Sequence, residues 1–230
     1  MLTVTDLTIE YADGTKVIDM VRFSIAAGEN VALVGANGAG KTSLLLGLVG
    51  VLPSAKGEIR IGETILHKKN LREIRSKVGL VFQNPDDQLF MSSIEEDIAF
   101  GPRNSGCCNE ETVERVTEAL TMLQIEHLAT RSPLKLSGGE KRLAAIATVL
   151  AMRPDLLLFD EPVAFLDPRS QRNLCSILSK LPQSKLIATH DLTFAQETCS
   201  RVLLLKEGTL VANAGVELLL NRAELEAAGL

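Results

Sequence analysis

An α/β fold with a parallel central sheet is what this sequence predicts, and three observations carry that expectation. The stretch Gly35-Ala36-Asn37-Gly38-Ala39-Gly40-Lys41-Thr42 follows an apolar run at 31–34 and precedes a helix-forming run at 44–49. A strand, a glycine loop and a helix N-terminus are the context that a phosphate-binding loop requires. Residues 156–159 and 186–188 are short and wholly apolar, as strands buried on both faces are. A helical pattern lies between those two runs, and parallel strands need such a crossover.

Taken in order, residues 2–9 are β-rich and partly alternating, Asp13-Gly14 is a turn signal, and 17–25 is a second strand with Val21, Phe23 and Ile25 on one face. These strands precede the glycine loop and are an addition to a bare nucleotide-binding core. Residues 53–57 read as a breaker cluster, and 57–61 with 64–66 as a short hairpin. A brief helix at 71–75 leads to a strand at 78–82, ended by Gln83 and the Asn84-Pro85-Asp86-Asp87 loop. Ser92 with Glu95 has capping-box spacing, and Gly101-Pro102 is read as the stop of the helix it starts. Val113, Val116, Leu120 and Leu123 form the stripe of an amphipathic helix over 111–123. Ser137 with Glu140 starts another, with Leu143, Ile146, Ala147 and Leu150 inward and an end before Pro154. Asp167-Pro168 caps a helix with Leu174, Ile177, Leu178 and Leu181 as its stripe, and Glu207-Gly208 turns a last hairpin. The expectation is one domain over 1–230, with a parallel core, an antiparallel sheet from the first 70 residues, and a helical insert at approximately 90–150.

Composition narrows the function classes. The formal net charge is -5, aromatics are 3% and tryptophan is absent, which argues against nucleic acid as a partner. Cys107, Cys108, Cys175 and Cys199 fit neither a tetrathiolate site nor a small disulfide scaffold, so a reducing compartment is expected. Asp6, Glu10 and Asp13 come too early for a signal peptide, and no apolar run approaches the roughly 20 residues that span a bilayer.

The chemistry concentrates at the presumed strand ends. The loop from Gly35 through Asn37, Gly38, Ala39 and Gly40 to Ser43 can turn amides toward phosphates. Lys41 adds a charge for the β and γ oxygens, and Thr42 a hydroxyl for Mg²⁺. Asp160, at the end of an apolar strand, is placed to hold Mg²⁺, and Glu161 to polarise an attacking water. His190 reads as a γ-phosphate contact and Asp191 as a helix cap, whereas His67 and His127 read as surface residues. Ser137, Gly138 and Gly139 expose amides at a helix start. They are either a second anion cradle, closing on a partner subunit's nucleotide, or an ordinary glycine-rich helix start.

The whole set resembles an ATP-binding-cassette ATPase, over essentially the entire chain. Residues 35–42 are similar to the Walker A loop, 136–140 to the family signature, and 156–161 to Walker B with its catalytic glutamate. The resemblance implies that Gln83 is the lid glutamine and a Mg²⁺ ligand, Asp167 the D-loop aspartate, His190 the switch histidine and Tyr11 the aromatic on adenine. It implies ATP sandwiched between two cassettes, with Ser137 and Gly139 supplied by the opposite one. The segments Phe82-Gln83-Asn84-Pro85-Asp86-Asp87-Gln88-Leu89-Phe90 and Phe165-Leu166-Asp167-Pro168 further resemble energy-coupling-factor importer ATPases, especially the cobalt and nickel branch. That implies a homodimer or heterodimer on the cytoplasmic face of the cell membrane. Its partners would be a transmembrane coupling protein and a substrate-capturing membrane subunit, and its cargo cobalt, nickel or a vitamin. Lys141 and Val163 depart from the commoner Gln and Thr without removing a catalytic group. Because the chain stops at Leu230, dimerisation without ATP is expected to be weak. The rival readings are a soluble cassette on a non-membrane partner and a non-catalytic assembly module.

Overall fold

The chain opens on two antiparallel strands, β1 (Leu2–Glu10) and β2 (Lys16–Ile25), joined at the Asp13-Gly14 turn, where the Gly14 N–H donates to the Tyr11 carbonyl. The computed structural model that shows this describes residues 1–230, with side chains at every position but 227. Alternation sets the register: Leu2, Val4, Leu7 and Ile9 pair with Ile25, Phe23, Val21 and Ile18, and all eight are buried. Next, β3 (Asn30–Val34) runs into the glycine loop and α1 (Lys41–Leu48) leaves it. Then come β4 (Ser54–Ile61), β5 (Thr64–Ile65), α2 (Leu71–Lys77) and β6 (Val78–Val81). Three helices follow, α3 (Ile94–Ser105), α4 (Asn109–Leu123) and α5 (Gly138–Leu150). The rest is β7 (Leu156–Asp160), α6 (Pro168–Lys180), β8 (Ser184–Thr189), α7 (Leu192–Thr198), β9 (Arg201–Lys206), β10 (Thr209–Gly215) and α8 (Arg222–Ala227).

The strands make two sheets, β2-β1-β4-β5 and β10-β9-β3-β8-β7-β6. The first is antiparallel; in the second, β9, β3, β8 and β7 run parallel. Two compact units result. One takes Met1–Leu80, Asp155–Glu161 and Pro182–Leu230, and the other Val81–Pro154 and Pro162–Leu181. In the first, α1 packs against β1, β2 and β7 and buries Leu44, Leu45 and Leu48 around its circumference. Ile9 lies so close that a Cβ on Gly47 would fall 2.3 Å from its Cδ1. In the second, α3, α4 and α5 pack on one another, and α5 buries the small residues Ala144, Ala145 and Ala147.

Four local expectations change. The breaker cluster at 53–57 is largely strand, because β4 already starts at Ser54 and pairs with β1 through register shifts. Helix α3 is capped by Ser93, whose hydroxyl accepts from the Glu96 N–H at 3.4 Å, rather than by Ser92. The Ser92-Ser93 and Glu95-Glu96 doublets make both registers fit the capping pattern, and Ser92 instead bonds the Glu96 carboxylate. Pro102 does not stop α3; it is buried inside the helix, which ends at Gly106 with φ +92. The Gly106 and Cys107 amides there return to the Arg103 and Pro102 carbonyls. Val113 is exposed, so the stripe of α4 is Thr112, Val116, Ala119, Leu120 and Leu123.

Candidate active site

Parallel strands β3, β8 and β7 lie side by side, so their carboxyl ends share one edge, where ligands bind in parallel sheets. Val34 is in register with Thr189, and Asp160 with Ala188. Each strand delivers its chemistry in the next residue or two.

The loop after β3 depends on glycine at two close approaches. A Cβ on Gly35 would sit 2.3 Å from the Leu205 carbonyl oxygen. At Gly40 φ is +104, and a Cβ would meet the Val17 carbonyl oxygen at 2.8 Å. Gly40 then accepts from the Leu44 N–H as α1 begins. The crown is open, since Asn37 and Gly38 are exposed and a Cβ on Gly38 would touch nothing within 4 Å. Ala39 is buried beneath it.

Lys41 is only 7% exposed, and its Nζ donates to the Gly35 and Ala36 carbonyls at 2.7 and 3.3 Å. It also lies 3.6 Å from Glu161 Oε1. Thr42 Oγ1 donates to Asp160 Oδ2 at 2.8 Å. A hydroxyl and a carboxylate so close to the loop are hard oxygen donors of the kind Mg²⁺ takes alongside phosphate and water, so these residues fit that ion. Ser43 is buried and hydrogen-bonds the Tyr11 hydroxyl at 2.7 Å, while Tyr11 itself is exposed.

Glu161 follows β7 with φ +45, a conformation that disfavours any residue with a Cβ. Its N–H donates to the Ala188 carbonyl at 2.8 Å, which holds the turn against β8. Its Oε2 accepts from the His190 N–H at 3.3 Å and lies 2.9 Å from His190 Nδ1. Strain concentrated on a buried carboxylate at a strand end is a functional signature. The edge thus gathers Lys41, Thr42, Asp160, Glu161 and His190.

Gln83, Ser137, Gly138, Gly139 and Asp167 belong to the second unit. Gln83 is exposed, in a loop fastened to α5. Arg142, 2% exposed, donates to the Phe82 and Gln83 carbonyls at 2.7 and 2.6 Å. Gln88 donates to the Ala145 carbonyl and Thr148 Oγ1 at 2.7 and 2.8 Å, and Lys141 pairs with Asp86 at 2.6 Å. The Lys141 departure therefore has a partner of its own. Ser137 caps α5 in a full capping box, and its hydroxyl and amide hold the Glu140 carboxyl below the usual range. Ser137 and Gly138 are exposed, although the Ser137 N–H itself donates to Glu140 Oε2 at 2.8 Å. Asp167 caps α6 by accepting from Arg169 and Ser170 N–H at 2.9 and 3.1 Å.

Sequence reasoning missed Arg142 and Thr189, and the bonds that tie Gln88 to α5. Arg142 had a signal: positions 142, 145, 146 and 149 all lie on the buried stripe of α5, and an arginine there must bond inward. Among the described residues, no cluster of three or more His, Cys, Asp or Glu could hold a metal by itself.

Architecture and edge together define a phosphate-loop nucleotide triphosphatase. Residues 18–164 match the ABC transporter family. The chain belongs to that family, as an ATP-hydrolysing cassette. It is 44% identical to the energy-coupling factor transporter ATP-binding protein EcfA of Carboxydothermus hydrogenoformans, over 99% of this chain and 85% of that one. The structure of cbiO1 from Clostridium perfringens, part of the ABC transporter complex cbiONQ, superposes with TM-score 0.88 and 34% identity, covering 97% and 91% of the two chains. The cassette MJ0796, in a dimeric post-hydrolysis state with ADP and Pi, gives TM-score 0.83 and 27% identity over 94% and 99%.

Proposed function

We propose that this chain is the ATP-hydrolysing subunit of an energy-coupling-factor importer and works as one of two paired cassettes. The loop amides of residues 35–43 and Lys41 hold the phosphates. Tyr11 lies against the adenine. Thr42 and Asp160 would hold Mg²⁺, which would supply charge neutralisation at the β and γ oxygens, and the family resemblance adds Gln83 as a further ligand. Ser137, Gly138 and Gly139 of the opposite cassette close over the γ-phosphate. Glu161 orients the attacking water, and His190 stabilises charge that develops on the phosphoryl group.

One observation carries the catalytic half of this reading: a buried, backbone-strained Glu161 held between Lys41 and His190 at the ligand-binding edge. The importer half is supported by the likeness to an energy-coupling factor transporter ATP-binding protein and to a part of the cbiONQ transporter complex. Its partners are a transmembrane coupling protein and a substrate-capturing membrane subunit, and its cargo is cobalt, nickel or a vitamin. Attachment on the cytoplasmic side of the membrane is assigned to the coupling protein, since no helix among the described residues is long and apolar enough to cross a bilayer.

The second unit offers a seat for that partner. A cavity of about 390 Å³ is lined by Phe90, Met91, Phe100 and Arg103, among others. Phe90 and Phe100 meet edge to face at 5.0 Å, and both rings are exposed. Asp97 fixes the wall by accepting from the Phe90 and Met91 amides at 2.9 and 3.0 Å. Affinity purification of the tagged chain from gently solubilised native membranes tests this reading. Recovery of a multi-span protein and a small membrane subunit is expected. Recovery of soluble or ribosomal proteins alone overturns the importer reading and leaves the ATPase chemistry standing.

A further inference from the structure

We infer that Thr189 is a positioning residue for ATP hydrolysis, whose hydroxyl fixes which oxygen of Glu161 faces the phosphate loop. The inference rests on the role proposed above for Glu161.

Thr189 is the last residue of β8, 0% exposed, between Val34 of β3 and the end of β7. Its Oγ1 accepts from the Asp191 N–H at 3.0 Å, which leaves the hydroxyl proton to donate elsewhere. The acceptor is Glu161 Oε2, at 3.3 Å. Together with the His190 N–H and Nδ1, that oxygen has three neighbours able to donate to it. The other oxygen, Oε1, points toward Lys41 at 3.6 Å. One carboxylate oxygen is therefore anchored and the other is presented to the loop where phosphate binds. Rotation of the carboxyl group would exchange them, and the hydroxyl opposes that rotation from a site with no freedom of its own. A threonine serving only the turn into α7 would need no more than its bond with Asp191. The second bond, aimed at Glu161, is the feature that assigns it to the reaction. Reacting groups lose rate steeply when misplaced by an ångström.

The test is steady-state ATPase kinetics of the full chain with Thr189→Val, Thr189→Ser and Glu161→Gln, and ADP affinity measured alongside. Valine keeps the shape and removes the hydroxyl. We expect Thr189→Val to lower kcat about 10-fold, with KM and ADP affinity within twofold, and Thr189→Ser to restore most of the loss. Unchanged kcat in Thr189→Val overturns the inference, as does a loss that Thr189→Ser fails to restore or one that appears in KM alone. If Thr189→Val unfolds, Thr189→Ala with the serine rescue decides on the same criteria. Wild-type turnover by Glu161→Gln would instead overturn the role of Glu161 itself, a failure distinct from that of Thr189.

Discussion

The two units hold their functional groups in opposite ways. In the first, the charged side chains of the loop and of the end of β7 are buried: Lys41, Asp160 and Glu161 are at most 7% exposed, while Thr42 and His190 beside them are open. Asp160 ends β7, Glu161 follows it and Lys41 opens α1, and each already touches another charged or polar side chain of the same unit. In the second, Gln83, Ser137 and Gly138 are exposed, and what is fastened is their backbone. Arg142 holds the carbonyls of one loop and a capping box holds the start of one helix. The contrast separates two tasks. Charge that must act on a phosphate is kept out of water, where it is strong. The groups proposed to meet a partner cassette's nucleotide are instead exposed, with the loop carbonyls and the helix start fixed.

The largest effect expected is on the first kind of site. Glu161→Gln keeps the shape of the side chain but removes the negative charge and turns one acceptor oxygen into a donor. ATP turnover should fall at least about 100-fold, with ADP affinity little changed. Retained turnover would show that the buried carboxylate is structural, and the contrast between the units would collapse. Next is the fastening of the second unit. Arg142→Met leaves two loop carbonyls without the donors that now reach them, at a cost of about 3 kcal/mol in chemical unfolding. A variant as stable as wild type would mean that the loop carrying Gln83 is not held through its backbone.

How much of this was legible in the sequence follows the same divide. The placement of these side chains at one sheet edge was readable, because an apolar run followed by Gly35–Lys41, Asp160-Glu161 or His190 marks both the strand and the polar residues at its end. The two sheets were readable from alternation and turns. The fastening of the Gln83 loop to α5 was not, since it joins residues about 60 positions apart, Arg142 to Phe82 and Gln88 to Ala145. Nor was the anchoring of Glu161 by Thr189, which depends on β8 lying between β3 and β7. Sheet order is a long-range fact that local pattern does not carry. The end of α3 was misplaced for a local reason: Pro102 outweighed Gly106, although the glycine is what closes the helix.

A smaller effect separates two neighbouring glycines of the presented helix start. A Cβ on Gly139 would stand 2.8 Å from Ser170 Oγ, whereas one on Gly138 would meet nothing within 4 Å. Gly139→Ala should therefore cost about 2 kcal/mol, and Gly138→Ala should leave the melting temperature where it is. Equal effects would mean that α5 and the cap of α6 do not touch at Gly139.

The smallest effect concerns a second buried lysine of the first unit. Lys185 is 1% exposed, and its Nζ donates to the Asn30 Oδ1 and Gln183 carbonyl oxygens at 3.1 and 2.9 Å. Burial pulls its pKa down to about 8 from the ordinary 10.5. Between those values the unfolded chain binds the proton and the folded chain does not, so stability rises with pH. Burial also pushes Cys199 up to about 11 from 9.0, and that window works with the opposite sign, because there the folded chain is the one that keeps its proton. Stability should therefore climb by about 1 kcal/mol from pH 8 to 9 and flatten above pH 9, where the two titrations oppose each other. Cys199→Ala should let the climb continue toward pH 10.5, and Lys185→Met should abolish it. A climb that survives Lys185→Met would place its origin in another group, and burial of this lysine would then carry no pH-dependent cost.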